Sequence, residues 1–134
     1  MRALIDTNVL LDVALNREPF VKDSAAVLRW AATGGEAAVA WHSLSNCAYL
    51  LKSGGRVFLS GLLKLVEVPT TGHMDAQRAL SLSMTDLEDA LQAAAALAWR
   101  ADVIVTRDPA DFSKSPVHAL SPAAFLKRVA PGRR

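Results

Sequence analysis

Acidic residues in three separate segments are the side chains of this chain that could most readily carry chemistry. Asp6 interrupts the apolar opening stretch LIDTNVLLD, and five further acids lie in the segments TDLEDA and RDPADF. An apolar segment that enters a core accepts a carboxylate only where a partner charge, hydrogen-bond donors or a metal offset the cost of removing it from water. The candidate acids are Asp6, Asp86, Glu88, Asp89, Asp108 and Asp111.

Carboxylates that a fold brings together favour a divalent cation. Three or more at one place repel one another, and each tends to hold a proton unless a cation compensates them. Their oxygens suit Mg²⁺ or Mn²⁺, which keep several waters and bind phosphates beside one or two protein carboxylates. Such a site can activate a water and stabilise the leaving oxygen during phosphodiester cleavage. The acids therefore predict phosphodiester chemistry, provided that the fold assembles them.

Each acid also has a purely structural interpretation. Asp6 is equally compatible with a cap for a helix that begins after it. Thr85 and Glu88 fit a capping box, and Asp86 is an alternative cap, so function is not needed to explain these acids. RDPAD is compatible with an ordinary Asp-Pro turn. Asp89 is harder to explain, because it lies a full turn inside the predicted helix, on the side crowded with alanines.

The composition is that of a globular protein and limits the classes of function. Hydrophobic residues make up 51% and charged residues 21% of the 134 residues, and the net charge is only +2. The single cysteine, Cys47, excludes an intramolecular disulfide and a cysteine-based zinc site. Asp6 and Asp12 interrupt the short opening apolar run, so neither a secretory signal nor a membrane span is predicted and a cytoplasmic protein is expected.

Strand and helix patterns alternate along the chain, which predicts a three-layer α/β/α domain with a mostly parallel sheet. Strands are expected at 2–6, 36–41, 66–69 and 102–106, with a last edge strand at 117–120. Helices are expected at 8–16, 19–33, 44–52, 56–65, 74–82, 86–100 and 122–129, with Ser43 capping the third. These elements form one expected domain, 1–130, followed by a short basic tail, 131–134. Functional groups of such sheets gather beyond the carboxyl ends of the strands, where Asp6 and the RDPADF acids are expected.

Three segments, in order, carry a family resemblance: LIDTNVLLD, DLEDALQAAAA and DVIVTRDPADF. Together they resemble the PIN-domain family, and especially the VapC-like toxin ribonucleases of prokaryotic toxin–antitoxin pairs. The resemblance runs through essentially the whole chain. It implies a five-stranded parallel sheet of order 3-2-1-4-5, with acids at its carboxyl edge that bind Mg²⁺ or Mn²⁺ for the cleavage of RNA. It also implies an antitoxin that masks the site, and a homodimer.

The resemblance carries over to particular residues. Asp6, Asp89 and Asp108 are implied as catalytic acids and metal ligands, with Asp111 as the alternative to Asp108. Further residues are expected to support or extend this site. Asn8 would orient Asp6, and Thr106, Asp86 and Asn46 would support the metal site. Arg107, Lys52 and Arg56 are candidates to guide RNA phosphates, although solvated surface charge explains each of them as well.

The chain departs from the family pattern at one position. The family usually has a glutamate in the helix after the second strand, and Asn46 occupies the matching place. Asparagine offers an oxygen but no charge, so weaker metal binding is expected. This departure favours one rival hypothesis, a PIN-fold module that binds RNA or a partner without turnover. A second rival is a phosphotransfer enzyme with Asp6 as its nucleophile, which is weakened because position 8 is not an aspartate.

Overall fold

Strands and helices alternate in the computed structural model, which describes residues 1–131. The strands are β1 (Arg2–Ile5), β2 (Glu36–Ala38), β3 (Val103–Val105) and β4 (Ala119–Leu120). The helices are α1 (Thr7–Ala14), α2 (Val21–Ala32), α3 (Trp41–Leu51), α4 (Gly55–Leu62), α5 (His73–Ser81), α6 (Leu87–Trp99) and α7 (Pro122–Val129). Short 3₁₀ turns cover Lys52–Gly54 and Pro109–Phe112. Of the predicted basic tail, positions 132–134 lie outside the described residues.

The four strands form one parallel sheet in the order β2-β1-β3-β4. Helices cover both of its faces, which is why the central strands are apolar throughout rather than alternating. Ala3 and Ile5 belong to the core beneath α1, α2 and α7, whereas Leu4 packs on the other face against the alanines of α6. The expected three-layer α/β/α class is therefore confirmed.

The expectation of five strands is wrong by one strand. Within residues 1–131, the segment 66–69 makes only a single bridge, between Ala38 and Glu67. Glu67 N donates to Ala37 O at 3.1 Å, and Val39 N donates to Glu67 O at 3.0 Å. The next donor in this parallel ladder would be residue 69, a proline without an N–H group, so the pairing stops. The bridge nevertheless lies on the outer side of β2, which is where the expected order 3-2-1-4-5 places the third strand.

Helix starts differ from the sequence expectation in one place and match it in others. Helix α3 begins at Trp41 after Ala40, so Ser43 lies in its first turn and is not its cap. The Ser43 hydroxyl is instead 2.7 Å from the Thr7 hydroxyl, where both side chains are buried. Asp6 does cap α1, and Asp86 does cap α6.

Candidate metal centre

An open cleft of about 480 Å³ lies beyond the carboxyl end of β1, where α1, α3 and α6 meet. Asp6 is the last residue before α1, so the end of the strand places it there. The first turn of α6 supplies Glu88 and Asp89, and the middle of α3 supplies Asn46. The lining residues are Asp6, Thr7, Asn8, Leu11, Ser45, Asn46, Tyr49, Leu50, Glu88 and Asp89.

Asp6 is a buried carboxylate with both oxygens engaged, and only 3% of it is exposed. Its Oδ1 accepts the Thr7 N–H at 2.8 Å, and its Oδ2 accepts the Thr106 hydroxyl at 2.8 Å. Burial is the main reason that the pKa of Asp6 rises to about 6. The two hydrogen bonds oppose this rise in pKa, and the nearby charges of Glu88 and Asp108 add to it.

Asp108 is tied to Asp6 through Thr106 and Asn8. The Thr106 hydroxyl accepts the Asp108 N–H at 3.1 Å. Asn8 Nδ2 lies 3.3 Å from both Thr106 Oγ1 and Asp108 Oδ2, and Asn8 Oδ1 accepts the Arg107 N–H at 3.3 Å. The described contacts of Asn8 therefore connect it to Asp6 through Thr106 rather than directly.

Asp89 lies in a concentration of negative charge. One carboxylate oxygen from each of Asp86, Glu88 and Asp89 lies within 4.8 Å of the others. Burial raises the pKa of Asp89 to about 7, and the charges of Asp86, Asp6, Glu88 and Asp111 add to this rise. Asp86, Asp89 and Asp111 also share the lining of a neighbouring pocket.

Glu88 is a candidate acid of the sequence that a capping box also explained and that was not expected as a metal ligand. Its Oε2 lies 2.8 Å from His42 Nε2 and accepts the Gln92 side-chain N–H at 2.9 Å. Burial works against the charged form of Glu88, but these hydrogen bonds outweigh it and hold its pKa below the usual value. The available sequence signal was Gln92, a polar residue within an alanine run four positions later, on the same face of α6.

Comparison with known proteins identifies the family. A sequence profile described as the PIN domain matches residues 2–110. The chain belongs to the PIN domain family. No curated protein sequence matches this PIN domain significantly.

Several solved structures share the fold of this chain. VapBC2 from Rickettsia felis, bound to a DNA fragment from its promoter, is 18% identical with a TM-score of 0.70, over 90% of this chain and 98% of that one. A toxin–antitoxin complex from Klebsiella pneumoniae is 22% identical with a TM-score of 0.69, over 90% and 97%. FitAcB from Neisseria gonorrhoeae is 18% identical with a TM-score of 0.60, over 90% and 98%. These similarities show that the PIN domain shares their fold.

The acids of this PIN domain fit a hard divalent cation. The ligand atoms that the cleft can offer to a metal are carboxylate and amide oxygens, which Mg²⁺ and Mn²⁺ prefer. They belong to Asp6, Asp89, Glu88 and Asn46. The ion pairs found within residues 1–131 involve neither Asp6 nor Asp89. Burial is the largest cause of the raised pKa values of both acids, and neighbouring negative charges, which a bound cation would offset, add to the rise.

The basic residues proposed for RNA lie apart from the cleft. The Arg107 guanidinium lies over the Phe20 ring at 4.2 Å, and its Nε is 3.0 Å from Oδ2 of the fully buried Asp12. Lys52 and Arg56 are exposed where α3 gives way to α4, and neither lines the cleft. In the part of the PIN domain from residue 1 to 131, no helix is both long and apolar enough to cross a bilayer.

Proposed function

We propose that this PIN domain is a metal-dependent endoribonuclease of the VapC toxin type, which cleaves RNA phosphodiester bonds. The observation that carries the proposal is the open cleft at the end of β1, which is lined both by Asp6, the cap of α1, and by Asp89 of α6. Membership of the PIN domain family supports it, as does the shared fold with toxin–antitoxin complexes.

In the proposed centre, Asp6, Asp89 and Asp108 hold Mg²⁺ or Mn²⁺, with Asp111 as the alternative to Asp108. When bound, the cation activates a water for attack on the phosphodiester and stabilises charge on the leaving oxygen. The chain's own contribution is to hold its acids in place before the ion arrives. The Thr106 hydroxyl does this for Asp6 and for the backbone of Asp108.

A module that binds RNA or a partner without turnover is the second candidate. It is favoured by Asn46, which lines the cleft from α3 and brings no charge. The phosphotransfer alternative gains no comparable support. Position 8, two residues after Asp6, is Asn8 rather than a second aspartate, so the chain lacks the acid that this alternative expects there.

RNA cleavage in the presence of Mg²⁺ or Mn²⁺ tests the proposal. Asp6→Asn and Asp89→Asn are expected to lower cleavage of a mixture of structured RNAs by at least about 100-fold, the upper end of the loss typical of outer-shell partners. EDTA is expected to abolish cleavage. Asp23→Asn, which changes an exposed acid in the first turn of α2, is the matched control and is expected to cleave normally.

Three results would decide against the proposal. Cleavage that survives both Asp6→Asn and Asp89→Asn would exclude this centre. Metal-dependent RNA binding by a wild-type protein that does not cleave would favour the binding module. Phosphorylation of Asp6 itself would favour the phosphotransfer enzyme.

The proposal includes partners and a cellular location. We expect an antitoxin protein that covers the cleft, a homodimer in solution, and a cytoplasmic site of action where RNA is available. Exposed apolar side chains in the lining of the cleft are consistent with a protein partner: Tyr49 is 81% exposed and Leu50 is 47% exposed. Light scattering after size-exclusion chromatography tests the dimer.

A further inference from the structure

Glu88 occupies a position in the cleft that its sequence context does not explain. It is the second residue of α6 and lines the same cleft as Asp6, Asp89 and Asn46. Asp86 supplies the cap of α6 by accepting the Asp89 N–H at 3.0 Å. The capping role suggested by the sequence is therefore already filled, and Glu88 is available for another one.

Two polar side chains, one from α3 and one from α6, hold the Glu88 carboxylate. Gln92 is fully buried, and its Nε2 lies 2.9 Å from Glu88 Oε2, 3.0 Å from Thr7 Oγ1 and 2.9 Å from Ser43 Oγ. His42 Nε2 reaches the same Glu88 oxygen at 2.8 Å. Contacts of this kind orient a ligand side chain before a metal binds.

The arrangement leaves one carboxylate oxygen available. Within residues 1–131, the contacts of Glu88 with His42 and Gln92 both end on Oε2, so Oε1 can accept another partner. The side chain is 40% exposed, so Oε1 is not sealed within the core. A carboxylate with one oxygen held in place, and with the Asp89 carboxylate within 4.8 Å, is well suited to share an ion with that neighbour.

We propose that Glu88 is a further ligand side chain of the metal centre and that it supplies the negative charge missing at position 46. The inference rests on the proposed function. Asn46 and Glu88 line one cleft from neighbouring helices, α3 and α6. The negative charge that α3 lacks at position 46 is thus replaced by the charge of Glu88 on α6. His42 of α3 holds the Glu88 carboxylate in place.

Mn²⁺ titration by calorimetry, without RNA, tests this role. Glu88→Gln keeps the shape of the side chain and removes its charge, and it is expected to weaken Mn²⁺ binding by about tenfold or more. Adding Asn46→Glu to Glu88→Gln is expected to restore most of the affinity. Asp86→Asn removes a charge from the same turn of α6 while keeping a good helix cap, and it is expected to weaken binding less.

The outcomes separate this inference from the proposed function. If Glu88→Gln binds Mn²⁺ as tightly as the wild type, while Asp6→Asn loses binding, the centre stands and the role of Glu88 is overturned. If the wild-type protein binds no Mn²⁺, both are overturned. Far-UV circular dichroism verifies that each variant is folded.

If Glu88→Gln does not fold, Mn²⁺ binding by the single variant Asn46→Glu tests the same inference. Because the missing charge is already supplied, the single substitution is expected to tighten Mn²⁺ binding only slightly. A gain of about tenfold or more would show that the charge had been absent and would contradict the proposal.

Discussion

Thr106 is the residue on which the geometry of the candidate centre most depends. It is fully buried at the end of β3, and its hydroxyl donates to Asp6 Oδ2 at 2.8 Å. Thr106 Oγ1 also accepts the Asp108 N–H and lies within reach of Asn8 Nδ2. One hydroxyl therefore sets the positions of two proposed metal ligands that lie far apart in the sequence.

Thr106→Val tests this dependence, because it keeps the shape of the side chain and removes its hydroxyl. Asp6 Oδ2 then loses its donor in a buried setting, which is expected to lower the free energy of unfolding by about 1–3 kcal/mol. Urea denaturation measures the change. Thr106→Ser retains the hydroxyl and is expected to cost less. A loss from Thr106→Ser as large as that from Thr106→Val would contradict the role of the hydroxyl, because only the serine variant retains it.

At the scale of single residues, the sequence identified those site residues whose positions follow from their immediate neighbours in the chain. Asp6 follows a strand and Asp89 lies inside a helix, so each could be found from its immediate neighbours. The position of Glu88 depends on His42, 46 residues away, and no local pattern reports such a contact. The capping-box spacing also offered Glu88 a sufficient structural explanation, which concealed its place in the cleft.

At the scale of elements, Arg107 and Asp12 join α1 to the segment that follows β3. Asp12 is fully buried within α1, and its Oδ2 is 3.0 Å from Arg107 Nε. Ser24 of α2 donates to the same oxygen at 3.3 Å, and Arg17 lies 4.0 Å from the other. The ion pair between Arg107 and Asp12 thereby holds the segment after β3, which carries Asp108, against helices α1 and α2.

Arg107→Ala is expected to act mainly on stability. It leaves the buried Asp12 with only the distant Arg17 as a charged partner, and such losses typically cost about 3–5 kcal/mol. Thermal or urea unfolding measures the effect, and Arg107→Lys is the matched control because it keeps the charge. A variant as stable as the wild type but defective in RNA binding would instead support the phosphate-guiding role.

Elements with strong apolar patterns were predictable, and elements decided by single backbone groups were not. The strands β1 and β3 and the helix α6 lie within the ranges expected from their buried runs. The segment 66–69 has the residues of a strand, but Pro69 removes the donor that the ladder needs. Likewise, Ser43 has the residue type of a cap, but its hydroxyl is taken by Thr7 and Gln92.

At the scale of the whole molecule, the acidic centre should make stability depend on pH. The pKa of Asp6 rises from 3.8 to about 6 and that of Asp89 from 3.8 to about 7, so the folded state binds protons more tightly than the unfolded state does. Their stabilising contribution is complete below about pH 4 and is lost as the pH rises through both folded values. The metal-free protein is therefore expected to melt at a lower temperature at pH 8 than at pH 5.

Added Mn²⁺ should reverse this loss, because the ion binds the ionised carboxylates of the folded state. We expect a clear rise in melting temperature at pH 8 and little change at pH 5, with EDTA removing the rise. Asp89→Asn should flatten the metal-free pH dependence. A melting temperature that responds to Mn²⁺ equally at both pH values would argue against binding at these acids.

The bridge at Glu67 also bears on how the protein avoids aggregation. On the β2 side, the edge of the sheet is a bridge of a single residue, Glu67. At the opposite edge, β4 spans only Ala119–Leu120. Long edge strands present rows of unpaired backbone groups that recruit strands from other chains. Because neither border offers such a row, this sheet is a poor template for edge-to-edge growth. Any assembly with another chain is therefore expected to use helix surfaces, which leaves the sheet closed to fibril-like addition.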